Sequence, residues 1–217
     1  MKQYLIKVLK ISAAFITILV LGMIVLYLAV LTGVFGRLPD REQLKDITNE
    51  EASLIYSSDG VLIGKVFAQN RTEIREVPDY LKEALISSED KRFYEHKGYD
   101  TRSYLRVLFK TILLGHRSAG GGSTISQQLA KNLFGRPYHG FLSLPVSKIR
   151  EAIVAHRMED VYSKEEILLL YLNSVPFGEN TYGVEAASTR YFNKKAMDLS
   201  IEQSALLVGL LKANTAY

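Results

Sequence analysis

Several short stretches of this chain carry residue types that could do chemistry together. In GGGSTISQQLAKN, Gly120 to Asn132, glycines run into Ser123 and Thr124, and Gln127, Gln128 and Lys131 follow. On a helix capped by either hydroxyl, Thr124, Gln127, Gln128 and Lys131 share one face. Ile125, Leu129 and Leu133 share another, which would pack inward. Amide N–H groups at a helix start, a row of side-chain amides and a cation suit an anion. The plainer alternative is a glycine linker ahead of a well-capped helix. The stretch is not a nucleotide loop, because such a loop needs Lys directly before the Ser/Thr and Gly122 stands there.

A second stretch is SSEDKRFYEHKGYD, Ser87 to Asp100. Glu89 continues the helical spacing of Leu81 and Leu85, so its carboxylate should be partly buried. Burial favours a proton-accepting carboxyl, which suits a general base. The plainer reading is a helix-end acid followed by a stop at His96 and Gly98. In SKIREAIVAHRMED, Ser147 to Asp160, Lys148 and Glu151 share a helix face, as many surface ion pairs do. In KEEILLLYLNSVPFGENTYGVEAASTRYF, Lys164 to Phe192, Tyr171, Asn173 and the Phe177–Gly178 turn read as architecture. The four histidines are scattered without metal-site spacing, and there is no cysteine, which excludes disulfides and thiolate metal sites.

The elements that must position these residues follow from the pattern around them. Ile11 to Gly36 is uncharged and rich in Leu, Ile and Val, long enough for a membrane helix. It lacks the short core and cleavage site of a signal peptide, and a core helix of this length would have no polar face for water. Lys2, Lys7 and Lys10 precede it, which keeps residues 1–10 cytoplasmic and sends the rest outside. Residues 37–52 read as a charged stalk or short helix. Ser53 to Val77 alternates around SSDG, a hairpin signal. From Pro78 and Asp79 the period becomes helical and stays so, broken at Gly120–Gly122, Gly135–Pro145 and Pro176–Gly183.

Charge is concentrated in the middle. Lys91 to Arg150 holds eleven Lys/Arg against Glu95 and Asp100. A basic middle in a membrane-tied domain fits an anionic partner at the membrane surface, and nucleic acid is not expected there. Within it, Leu105, Leu108, Phe109 and Ile112 form an apolar row, and Arg102, Arg106 and Lys110 a basic one. Such a helix suits a membrane interface, or an ordinary core edge.

Taken in order behind an outward-facing anchor, these stretches resemble the peptidoglycan glycosyltransferases of glycosyltransferase family 51. That family comprises monofunctional enzymes and the transglycosylase domains of class A penicillin-binding proteins. EDKRFYEHKG (Glu89–Gly98) is similar to its first motif and GGSTISQQLAKN (Gly121–Asn132) to its second. SKIRE (Ser147–Glu151) is similar to the third, and ILLLYLNSVPFGENTYGVEAASTRYF (Ile167–Phe192) to the fourth and its continuation. The resemblance implies a mainly helical, lysozyme-like fold of two lobes over residues 53–217, with a small N-terminal β-hairpin and one transmembrane helix before it. It implies an inner-membrane, single-pass protein with its catalytic domain on the outer or periplasmic side. The substrates implied are lipid II and the lipid-linked glycan strand. The partners implied are the bacterial membrane and other cell-wall synthesis proteins.

The resemblance also implies roles. Glu89 would be the general base, deprotonating the GlcNAc 4-hydroxyl of lipid II for attack on C1 of the donor MurNAc with inversion. Asp90 would support it. Ser123, Gln127, Gln128 and Lys131 would stabilise the departing undecaprenyl diphosphate. Lys148 would neutralise diphosphate and Glu151 would be the second acid of the cleft, with Arg136 and Arg150 as further diphosphate partners. Mg²⁺ or Mn²⁺ is the candidate ion, with no ligand set in sight, and no organic cofactor is implied. The region between the first two motifs would touch the membrane.

Three positions depart from the family's pattern. Ser147 stands where Arg is usual, Leu169 where an acid is usual, and Asn214 where Pro is frequent. The family's closing segment is still running at Tyr217, which suggests a longer natural chain. Ser88–Lys91 matches the SxxK of a transpeptidase, but inside the first motif and without KTG. Two rival functions remain. A lysozyme-like glycan-cleaving enzyme would also need a cleft carboxylate but no diphosphate site. A non-catalytic lipid II-binding scaffold would not need Glu89.

Overall fold

The computed structural model describes residues 2–47, 53–66, 71–114 and 121–213. Gly120 and Asn214 lie outside these residues, as do the side chains of Leu108, Lys110 and Ile112. The chain divides into two compact units. One comprises Met1–Pro39 with Arg136–Arg150, and the other Asp40–Gly135 with Glu151–Tyr217.

The first unit is built on helix α1, Lys2–Leu31. Its segment Ile6–Leu31 is long and apolar enough to cross a bilayer. Side chains such as Phe15, Ile18 and Val25 are exposed, which is not how a core helix of a soluble domain is placed. The helix stops before the uncharged run does. Gly33 takes φ +81°, its N–H meets the Val30 carbonyl, and the Val34 N–H reaches back to Ala29, a glycine-terminated helix end. The Arg150 guanidinium then gathers the carbonyls of Phe35 (3.2 Å), Gly36 (2.6 Å) and Arg37 (3.1 Å) just past that end. Phe35 meets His139 edge-on, while Tyr138, Phe141 and Leu144 are exposed.

The second unit is mostly helical. It opens with α2, Arg41–Lys45, whose start is closed reciprocally by Asp40 and Gln43. This short helix, in the stretch read as a stalk, buries Leu44, and the Tyr162 hydroxyl donates to the Leu44 carbonyl at 2.5 Å. Strands β1 (Ser53–Tyr56) and β2 (Leu62–Val66) form the expected antiparallel hairpin around the SSDG turn. Helix α3 (Asp79–Glu89) follows Pro78, whose extended backbone starts it, and α4 (Thr101–Leu114) begins after Asp100. Then come α5 (Ile125–Phe134), α6 (Ser143–Met158), α7 (Lys164–Ser174), α8 (Val184–Phe192) and α9 (Ile201–Ala213). The boundary between the two units falls within α6.

The core of this unit forms where α3 packs on α9 and α5 packs on α7, with α8 against α7 and α9. Leu81 and Leu85 of α3, Ile125 and Leu129 of α5, and Ile167, Leu168 and Leu172 of α7 are buried. Each such side chain contributes roughly 1.5–3 kcal/mol. These helices thereby bring the end of α3 and the start of α5 together. The loop after α3 is pinned by a close approach. Gly98 sits at φ +83°, and a Cβ there would lie 2.5 Å from the His156 nitrogen of α6, so no side chain fits. Lys164, the first residue of α7, ties the same loop down by donating to the His96 carbonyl (2.7 Å) while pairing with Glu159 (2.7 Å).

Candidate active site

The end of α3 delivers two neighbouring carboxylates, Glu89 and Asp90, into different surroundings. The Glu89 side chain keeps 12% of its surface exposed, matching the partial burial expected of it. Its Oε2 accepts from Gln128 Nε2 of α5 at 3.0 Å, and Gln128 Oε1 accepts from the Tyr171 hydroxyl of α7 at 3.0 Å. Burial, with the Glu89 charge nearby, pushes the Tyr171 phenol up, so it stays protonated and donates. A donating phenol on one side and an accepting carboxylate on the other fix which way the Gln128 amide faces. Glu89 Oε1 is buried and has no hydrogen-bond partner among the described residues. The Lys212 ammonium of α9 lies 3.8 Å from that oxygen and donates to the Ser88 carbonyl at 3.1 Å.

Asp90 is buried and does structural work. Its Oδ2 accepts from the Ile125 N–H, in the first turn of α5, at 3.1 Å and meets His96 Nε2 at 2.9 Å. A carboxylate only accepts, so the His96 hydrogen lies on Nε2. The sequence suggests N–H groups at the start of α5 pointing outward to an anion, and the structure revises this. Thr124 caps the helix, with its hydroxyl accepting from the Gln127 N–H and the Gln127 side chain accepting from the Thr124 N–H. The Thr124 hydroxyl donates to the Gly98 carbonyl at 2.6 Å. With Ile125 taken by Asp90, the anion at this helix start is the protein's own.

The remaining residues singled out from sequence are distributed as follows. Gln127 is fully buried, and its Nε2 donates to the Tyr104 hydroxyl at 2.6 Å, so this amide is committed to the cap and to α4. Burial and the Glu151 charge push the Tyr104 phenol up against the Gln127 hydrogen bond, which places Glu151 in the same neighbourhood. Glu151 itself is buried. Lys131 is exposed on α5, and Ser123 is half-buried just before it. Lys148, Arg150 and Arg136 belong to the unit that contains α1. Ser147 in that unit is buried, with its hydroxyl oxygen lacking a partner among the described residues. Leu169 is half-buried on α7. Among the described residues no three His, Cys, Asp or Glu side chains converge to hold a metal ion.

Two residues central to this geometry carry no signal in the local sequence. Tyr171 falls in the apolar register of α7 and reads as core, and Lys212 is an ordinary basic residue in a last helical turn. Both act on residues far away in the chain.

The sequence model of the Transglycosylase family matches residues 59–217. The chain belongs to the transglycosylase family. It is 41% identical to penicillin-binding protein 1F of Bacillus subtilis over 175 residues, covering 80% of this chain and 24% of that protein. It is 38% identical over 185 residues to penicillin-binding protein 1A of Neisseria flavescens, covering 84% and 23%. With penicillin-binding protein 1A of Aquifex aeolicus it shares 36% over 201 residues, covering 92% and 27%. The chain thus spans about a quarter of the length of these relatives. The transglycosylase match takes in both carboxylates, the capped helix α5 and the tyrosine of α7, and it agrees with the resemblance read from the motifs.

Proposed function

We propose that this chain is a membrane-anchored peptidoglycan glycosyltransferase that polymerises lipid II. The observation that carries the reading is the Glu89 carboxylate. One oxygen is held by a Gln128 whose own orientation is fixed by Tyr171, and the other has no hydrogen bond among the described residues. A base needs this asymmetry, with one oxygen for positioning and one lone pair for the proton. Glu89 Oε1 takes the proton from the GlcNAc 4-hydroxyl of the acceptor. The freed oxygen attacks C1 of the donor MurNAc, the α-linkage inverts to β, and undecaprenyl diphosphate leaves with the bonding electrons. Asp90 keeps α5 at its station beside the base.

Stabilising the leaving diphosphate falls to Ser123, Gln128 and Lys131. In the unit that contains α1, Lys148, Arg136 and Arg150 are the cations the family resemblance names, and Arg150 already serves three carbonyls. Gln127 acts indirectly, by capping α5. Glu151 is the second acid of the cleft. α1 spans the inner membrane once, residues 1–10 remain cytoplasmic, and the catalytic domain, residues 53–217, lies on the outer side. The exposed Leu105 and Phe109 of α4 rest in the membrane interface. Other cell-wall synthesis proteins are the expected partners.

The test is polymerisation of labelled lipid II by the purified chain in detergent, beside Glu89→Gln. Glycan strands from the wild type and a loss of about 10²-fold or more in the variant are expected. A wild type that binds lipid II without making strands would mean a scaffold. Cleavage of finished glycan would mean a hydrolase.

A further inference from the structure

We infer that Lys212 is a positioning residue for the catalytic base: its ammonium faces Glu89 Oε1 and offsets the charge there without taking the lone pair that must accept the proton. The inference rests on the reading of Glu89 given above. A buried carboxylate oxygen with no hydrogen bond is costly, because nothing replaces its lost hydration. Among the described residues, Glu89 Oε1 is such an oxygen. The Lys212 ammonium lies 3.8 Å from it, close enough for Coulomb attraction and too far for a hydrogen bond. A lysine hydrogen-bonded to Oε1 would compete with the sugar hydroxyl, whereas one held short of contact compensates the charge and leaves the lone pair open.

The geometry that keeps the ammonium at this station is specific. Lys212 donates to the Ser88 carbonyl, one residue before the base, at 3.1 Å. α9 is packed along α3, which carries both Ser88 and Glu89. A lysine in the last turn of a helix is ordinarily a solvated charge answering the helix dipole. Here the side chain is 61% exposed, yet its ammonium is turned back onto α3. The opposite oxygen accepts from a neutral group, Gln128, which is itself held by Tyr171. Lys212 therefore places a positive charge beside the open oxygen of the base.

The chain has no cysteine, which permits a direct test of charge against packing. Lys212→Cys is prepared in the full chain and assayed on labelled lipid II, before and after treatment with 2-bromoethylamine, which rebuilds a lysine-length ammonium on the thiol. A parallel sample is capped with iodoacetamide, of similar bulk and neutral. The expected result is a kcat about tenfold below wild type, with KM within about twofold. Aminoethylation should restore kcat, and the neutral cap should not. Lys212→Arg should retain most of the rate. Full activity in Lys212→Cys, or equal recovery with both reagents, would overturn the inference. Glu89→Gln run alongside separates the two ideas. If that variant keeps the wild-type rate, Glu89 is not the base. If it is inactive while Lys212→Cys is not impaired, only the role of Lys212 falls.

Discussion

Helices α4 and α5 have similar patterns in sequence and opposite fates in the fold. Each carries an apolar row at helical spacing and a polar or basic row beside it. In α5 the apolar row is covered, with Ile125 and Leu129 at 0% exposure against α7. In α4, Leu105 and Phe109 of the corresponding row remain 64% and 59% exposed. Periodicity thus names a face of a helix but not what covers it. α5 spends its apolar face on the core and becomes a fixed platform for Gln128. Among the described residues, α4 is tied at its beginning, through Asp100 and through the Tyr104–Gln127 hydrogen bond, while Leu105 and Phe109 stay uncovered.

The largest expected effect separates the two helices by stability. Leu129→Ala should cost about 2–5 kcal/mol in denaturant unfolding, because it leaves a cavity under a platform that cannot collapse. A cost below about 1 kcal/mol would mean that α5 is far less anchored than its burial indicates. Next is the pair Leu105→Ser with Phe109→Ser on α4. Together they should move stability by no more than about 0.5 kcal/mol and lower association with vesicles of anionic phospholipid several-fold. A large loss of stability with unchanged vesicle binding would place that face in a core instead.

The smallest effect concerns the helix starts. Burial alone would raise the Asp100 carboxyl, but hydrogen bonds from Ser103 and Arg92, and the Arg92 charge, outweigh it and hold the group below the ordinary carboxylate value. A carboxyl depressed in the folded state stabilises fully above its unfolded value, about 3.9, and loses that contribution as pH falls through the folded value. The first turn of α4 should therefore lose amide-exchange protection on acidification below about pH 4. The start of α5 is held by the Thr124 hydroxyl, which gains no proton, together with the Asp90 carboxylate on the Ile125 N–H. Equal protection at Arg102 and Ser103 across that range would remove Asp100 as the cap that matters.

What the sequence disclosed follows the range of the interactions. The apolar span, the hairpin around SSDG, the start of α3 at Pro78 and the hydroxyl cap of α5 depend on neighbours within a turn or two, and all were legible. The helix end at Gly33 was missed inside an uncharged run, because composition does not report a left-handed residue. At the site, the partial burial of Glu89 was legible from its place on an apolar stripe. The bonds that give it shape were not legible. Tyr171 reaches Gln128 across 43 residues, and Asp90 reaches Ile125 across 35. Gln127 reads as a substrate contact until its burial and its two structural bonds are seen.

The carboxylate of Asp90 at the start of α5 has a consequence for selectivity. Most helix starts would welcome any small anion of the cell, and inorganic phosphate is abundant. Here that berth carries a permanent tenant, bonded to the Ile125 N–H and to His96 and shut away from solvent. Attraction for a diphosphate must then come from side-chain cations, which salt screens and which hold a lone ion weakly. On the proposed function, competition from free phosphate is thereby kept low, and tight capture is left to a substrate that brings a sugar and a lipid along with its charge.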